Sequence, residues 1–168
     1  MKTFLIHNVG PKVNENYSEA EAILQSEGLL TFDGVYRNVW EYRRVLGSRL
    51  HGAILFIMGF SVGGDNAFDA PMPLETYCDW NELHELVRDY RCEWGWHTYS
   101  HLDLTKGLSE EEIRQEITPP FPMKYFAYPY GSVNDRVAKL VEEAGYQKAF
   151  TVDRTKGDSP FWIPRSYL

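Results

Sequence analysis

The chain has 168 residues, with 17 Lys and Arg against 24 Asp and Glu and a formal net charge of -7. That length suits one domain over residues 1–168 with roughly 70% of the unfolded surface buried, and the acidic balance argues against nucleic acid or anionic membrane as partners. Two cysteines, Cys78 and Cys92, exclude a disulfide framework and a cysteine-rich zinc site, and the longest apolar run, 52–60, is about half of a bilayer span.

Nothing before the first apolar segment reads as a signal peptide, so a cytoplasmic location is expected. Thr3-Phe4-Leu5-Ile6 reads as a strand, followed by His7-Asn8 and a turn at Gly10-Pro11. Ser18 with Glu21 makes a capping box for a helix over Glu19 to Glu27, which Gly28 stops. Leu29 to Phe32 is a second strand, with Asp33 at its end. Asn38 caps a helix bearing Val39, Tyr42, Val45 and Leu46 on one stripe. Ala53 to Met58, apolar on both faces, is a strand buried on both sides. The stretch 61–77, with Gly63-Gly64, Pro71 and Pro73, has the length of a functional lid or of a merely mobile loop.

Asp79 caps a helix with Leu83, Leu86, Val87 and Tyr90 at helical spacing. Cys92 to Trp96 is a fourth strand, ended by His97, with His101 four residues on. Ser109 and Glu112 form another capping box, and Pro119-Pro120 ends that helix. Tyr125 to Tyr128 is a fifth strand leading into Pro129-Tyr130-Gly131. Asn134 or Ser132 opens the last helix, with Val137, Leu140, Val141 and Ala144 inward, before a sixth strand at Ala149 to Val152. Strand then helix, repeated, predicts an α/β fold with a parallel, barrel-like sheet and helices outside, its functional groups at the strand C-termini.

His7, Asp33, His97 with His101, and Tyr130 each follow a predicted strand. Two imidazoles at i and i+4 share one side of a helical turn and reach one metal ion, with a neighbouring Asp as ligand or base. The plain alternatives are packed imidazoles after Trp94-Gly95-Trp96, a turn cap at Asp33 and ordinary strand exits. His51 and His84 read as surface residues.

These residues resemble the polysaccharide deacetylases of the NodB homology type, carbohydrate esterase family 4. Leu30-Thr31-Phe32-Asp33 resembles the first half of the family's T-F-D-D motif, and His97-Thr98-Tyr99-Ser100-His101 its H-[ST]-x-x-H motif. Phe126-Ala127-Tyr128-Pro129-Tyr130-Gly131 resembles its R-x-P-Y-G motif without the arginine, and Gly145-Tyr146 through Asp153, then Ile163-Pro164-Arg165, resembles the tail of that branch. The fold this implies is a distorted (β/α) barrel with fewer than eight strands. The reaction it implies is removal of an N-acyl group, acetyl or formyl, from an amino sugar by a divalent metal, commonly zinc. The resemblance puts the metal on His97, His101 and Asp33, the base at Asp33 and the oxyanion at the Tyr130 N–H. The segment Phe4 to Val9 resembles the poly-N-acetylglucosamine deacetylases, whose acid histidine sits at the start of the chain, and makes His7 the general acid.

Gly34 stands where the family has its second aspartate. Read without a gap, Asp33 is the base and a metal ligand is missing; read with a deletion, Asp33 is the ligand and the base is missing, with Asp103 or Glu93 as substitutes. Arg165 replaces the absent motif arginine and reaches Asp33 from the last strand, or it is a surface arginine. Trp96, directly before His97, lines the pocket together with Tyr130, while Trp80 and Trp94 stack on sugar or pack in the core. The expected substrate is a nucleotide-linked, lipid-linked or oligosaccharide amino sugar, for example a precursor in surface-polysaccharide assembly. The rivals are a catalytically impaired carbohydrate-binding relic of the same fold, which Gly34 favours, and a metal-independent hydrolase using His7 and Asp33.

Overall fold

The computed structural model describes residues 2–9, 17–18, 20–69, 74–152 and 159–168. The expected features at Gly10-Pro11, Glu19, Pro71, Pro73 and Asp153, and the Ser18 side chain of the first capping box, lie outside the described residues. In chain order the elements are β1 (Thr3–Ile6), β2 (Asn8–Val9), β3 (Tyr17–Ser18), α1 (Ala20–Gln25), β4 (Leu29–Asp33), α2 (Arg37–Glu41), α3 (Arg43–Leu46), β5 (Ile54–Ile57), α4 (Trp80–Tyr90), β6 (Glu93–Trp96), α5 (Glu110–Ile117), β7 (Tyr125–Ala127), α6 (Asp135–Glu143), β8 (Lys148–Thr151), β9 (Ile163–Pro164) and β10 (Ser166–Tyr167).

One sheet carries β10-β1-β4-β5-β6-β7-β8-β9, and every neighbouring pair in it is parallel. The six expected strands are its six longer members. β9 pairs with β8 and β10 pairs with β1, and only Arg165 separates the two. The final segment therefore acts as one strand broken at Arg165, and it carries the sheet round until it nearly closes. Counted this way the barrel has seven staves, short of the regular eight.

Strand alternation sorts the core into two layers. Leu55 and Ile57 of β5, with Leu30 and Phe32 of β4, face the helices and join the large outer core of Val39, Leu83, Leu86, Ile113, Val137 and Leu140. Ile54 and Phe56 face inward and pack with Ala127 and Phe150 inside the barrel. Gly95 of β6 also points inward, where a Cβ would come within 2.5 Å of the Phe56 ring. The interior is thus filled at one end by Phe56, which leaves the other end for polar groups.

Three helix starts behave as their sequences predict. Asp79 and Glu82, and Ser109 and Glu112, form reciprocal capping boxes on α4 and α5, and Asn134 accepts the Val137 N–H on α6. Three expectations are corrected. The helix expected after Asn38 breaks at Tyr42 into α2 and α3, which turns Val45 out to solvent at 56% exposure. Asn38 is no cap: it lies inside α2 and accepts the Val9 N–H. Ala144, expected inward, is the exposed C-cap of α6. Among the described residues no helix is long and apolar enough to cross a membrane.

Candidate active site

The mouth of the barrel is built by the same alternation. With Leu30 and Phe32 turned to the helices, Thr31 and Asp33 turn toward the axis. β1 pairs with β4 so that Ile6 lies opposite Phe32, which sets His7 beside Asp33. His97 follows Trp96 off the end of β6, Tyr130 follows β7, and Arg165 sits at the break between β9 and β10. Residues from both ends of the chain therefore meet on one rim.

Asp33 and Arg165 are both buried and form a two-pronged pair. Arg165 Nη1 donates to Asp33 Oδ1 at 2.6 Å and Nη2 to Oδ2 at 2.8 Å. Nη1 also donates to the Thr31 hydroxyl at 3.1 Å, and that hydroxyl donates to the Phe4 carbonyl at 2.8 Å. The guanidinium lies 5.4 Å from the centre of the Phe56 ring. Burial alone would raise the Asp33 carboxyl; the Arg165 charge and hydrogen bonds, with smaller pulls from His97 and His7, win and hold it at about 2. The arginine expected from sequence to reach Asp33 does so, and it is not a surface residue.

His97 is buried, and its Nδ1 meets the Ala127 carbonyl at 2.8 Å. A carbonyl only accepts, so Nδ1 carries the proton and Nε2 keeps its lone pair. Burial pushes this imidazole down to about 3 against the pull of Asp33. Nε2 lies 3.7 Å from Asp33 Oδ2. With a neutral ring this is no ion pair but two acceptors facing each other.

His101 comes alongside by an irregular turn, not the helical turn its spacing suggested. Thr98 and His101 both have positive φ, 66° and 58°, and the His101 N–H donates to the Thr98 hydroxyl at 2.9 Å. The two imidazole centres are 4.9 Å apart. Glu116 of α5 clamps this turn: its carbonyl accepts the Trp96 indole N–H and the Tyr99 N–H, and its buried carboxylate accepts the Ser100 N–H at 2.8 Å. The Tyr130 ring stands against His101 at 4.8 Å, and the Tyr167 ring lies nearly parallel to His7 at 6.0 Å. Tyr130 has φ 59° and Gly131 φ 68°; a side chain at 131 would collide with Val152, so that turn requires glycine.

His7, Asp33, His97 and His101 line two adjoining cavities of about 220 Å³ and about 60 Å³. The larger is completed by Tyr130 and Arg165, among others, so six of the seven expected site residues share one space. Trp96 is the exception. With Gly95 and His97 turned inward, Trp96 must turn outward, and it is buried in the outer core. Trp80 and Trp94 pack with His84 and Phe121 away from this space. His84 and His51 are exposed, as expected. Neither substitute acid arrives: Asp103 holds its own turn through Thr105 and Lys106, and Glu93 begins β6 at the opposite end of the barrel. Sequence reading missed Leu5, Val152 and Tyr167 on the large cavity and Tyr36, Met58 and Tyr77 on the small one. Leu5 was findable, since it lies two residues before His7 on the same strand face. Met58 and Val152 end predicted strands, and Met58 follows the inward Phe56 by two residues; Tyr36, Tyr77 and Tyr167 come from loops and a chain end without a periodic signal.

Among the described residues no three His, Cys, Asp or Glu side chains form a ready-made metal group. What is present is two imidazoles and the carboxylate oxygen that faces His97 Nε2 without a proton between them. That donor chemistry fits a borderline divalent ion such as zinc, held by fewer protein charges than usual. Gly34 adds nothing: a Cβ there would lie 2.9 Å from the Tyr77 ring and 3.2 Å from the end of Met58. Tyr77 stacks on Tyr36 at 4.5 Å, so a side chain at 34 would have to displace Tyr77 and Met58.

Residues 24–149 match the family model for polysaccharide deacetylases. The chain belongs to the polysaccharide deacetylase family. The same kinship was read from its motifs, and the reaction of that family is carbohydrate deacetylation. Solved structures agree in fold. IcaB from Ammonifex degensii superposes with a TM-score of 0.79 at 19% identity, covering 99% of this chain and 91% of that one. The deacetylase PplD from Streptococcus pyogenes, solved with acetate, has a TM-score of 0.73 at 12% identity, covering 100% and 92%. A polysaccharide deacetylase from Bacillus cereus has a TM-score of 0.72 at 18% identity; this chain spans 64% of its length. No curated protein sequence matches the chain.

Proposed function

We propose that this family member is a metal-dependent hydrolase, acting as one domain, that removes an acetyl or formyl group from the nitrogen of an amino sugar. The observation that carries the reading is the meeting of His7, Asp33, His97, His101 and Arg165 around one cavity at the strand C-termini. Asp33 is the base. Arg165 holds its carboxylate ionised and aimed, at the expense of basicity. His97 and His101 are the residues that would hold the ion, with Asp33 Oδ2 beside them. A divalent cation there would supply the charge that acidifies water and polarises the amide carbonyl. The Tyr130 N–H, at the positive-φ turn, donates to the oxygen that becomes negative. His7, across from Asp33, gives the leaving nitrogen its proton, without which the amine departs as an anion. The substrate belongs to surface-polysaccharide assembly, and a cytoplasmic location goes with that proposal.

The test is acetate release from N-acetylglucosamine oligomers by zinc-supplemented protein. Asp33→Asn and His97→Ala are expected to abolish release while the fold persists by circular dichroism. A second reading, an impaired carbohydrate-binding relative, is favoured by Gly34 and the tyrosines packed against it. It predicts oligomer binding with no acetate released and no zinc retained after dialysis.

A further inference from the structure

The proposed ion site is short of negative charge. Arg165 matches the single charge of Asp33 through both of its prongs, and an imidazole binds a cation only in its neutral form. With neutral imidazoles, His7, Asp33, His97, His101 and Arg165 together offer a divalent ion no net charge. The wall of the small cavity holds two further oxygens. Tyr36 and Tyr77 are buried there, lining it together with Asp33, His97 and His101, and their hydroxyls lie 3.2 Å apart. The backbone makes this pair. Gly34 and Val35 take positive φ, 77° and 54°, which a branched residue resists, and the chain that emerges meets the segment before α4. Residues 36 and 77 face each other across a short antiparallel bridge. It is flanked by the Arg37 N–H donating to the Thr76 carbonyl at 2.8 Å and the Cys78 N–H to the Val35 carbonyl at 3.0 Å. Bridge partners send their side chains to one face, so the rings stack. The Tyr77 N–H donates on its other side to the Gly64 carbonyl at 2.9 Å. Phenylalanines would fill the same space without burying two hydroxyls.

The way the Tyr77 ring points is decisive. A Cβ built on Gly34 would lie 2.9 Å from Tyr77 Cε1 and 3.6 Å from Cδ1. Cε1 adjoins the carbon that bears the hydroxyl. The hydroxyl end of the ring, not its root, therefore stands where a side chain at 34 would begin, one residue past Asp33. We propose that the Tyr77 oxygen is an anionic ligand of the divalent cation, beside His97 and His101, in the place of the carboxylate that Gly34 lacks. On binding, the Tyr77 O–H bond breaks, an oxygen–metal bond forms, and the proton passes to bulk water. The phenolate supplies the negative charge that Arg165 takes from Asp33. It can then only accept hydrogen bonds, so the Tyr36 hydroxyl donates to it and orients it as an outer partner of the ligand. This inference rests on the metal-dependent reading of the site, not on the reaction performed there.

The experiment titrates the untagged protein with zinc, reading affinity with a competing dye and phenolate by ultraviolet difference absorbance. Zinc is expected to raise a phenolate band that saturates with the metal. In Tyr77→Phe, which keeps the ring and its stacking, the band vanishes and zinc binding weakens about 100-fold or more, at or beyond the upper end of what losing an outer partner costs. Tyr36→Phe keeps the band and weakens binding about tenfold. Gly34→Asp/Tyr77→Ala, with a carboxylate in the vacated room, binds zinc more tightly than Tyr77→Ala and shows no band. Unchanged zinc affinity in Tyr77→Phe, or zinc-loaded wild type without the band, overturns the ligand and leaves the deacylase reading intact. A band lost in Tyr36→Phe but kept in Tyr77→Phe also overturns it. A band and affinity that depend on Tyr77, with no acetate released from any substrate, sink the deacylase reading and leave the ligand standing. Wild type that binds no zinc ends both.

Discussion

At the scale of single residues, the Asp33–Arg165 pair sets both reactivity and cost. Arg165→Met leaves a buried carboxylate without its counter-charge, so its pKa rises. Activity should then fall at every pH, with its acid limb moved upward, and unfolding stability should drop by about 3 kcal/mol or more in urea titrations. Arg165→Lys places a point charge where a fork stood and should recover only part of both. Gly131→Ala forces a side chain onto Val152 at φ 68° and should lower stability and acetate release together. Much of this chemistry was legible. The two histidines lie four residues apart, and local spacing survives folding even though their turn is not helical. The reach of Arg165 across 132 residues was suggested by motif order alone. Trp96 was misread although the needed signal was present: Gly95, between two tryptophans, marks the inward position of β6, so its neighbours face out.

At the scale of elements, α5 does more than cover the sheet. Its last turn supplies Glu116, whose three hydrogen bonds hold the turn from His97 to His101 in a backbone shape that non-glycine residues resist. Glu116→Ala should weaken zinc binding about tenfold, in line with the loss of an outer-shell partner, while Glu116→Gln, which still accepts the Ser100 N–H, should keep most of it. Equilibrium dialysis with a zinc-sensitive dye reads the difference. The helix ends of α4, α5 and α6 were readable because capping is decided within four residues. The break at Tyr42 was not, because nothing local distinguishes one continuous helix from two short ones.

At the scale of the whole molecule, acid should open the barrel. Asp33 titrates at about 2 in the fold against 3.8 in the free chain, so its contribution is complete above pH 3.8 and is lost as pH falls toward 2. His97 titrates at about 3 against 6.5: the unfolded chain takes up a proton first, so stability already declines as pH drops below 6.5. Chemical denaturation of the chelator-treated protein between pH 7 and 4 should show a steady loss, and His97→Gln should flatten it. The strand-helix alternation announced the barrel, but its closure by a strand broken at one arginine depends on contacts between chain ends that no window of sequence contains. That closure makes assembly self-checking. Asp33 is laid down 132 residues before the cation that neutralises it. Until residue 165 arrives, the carboxylate has no cation to meet it, so the barrel gains the full stability of the pair only once its last strand is in place.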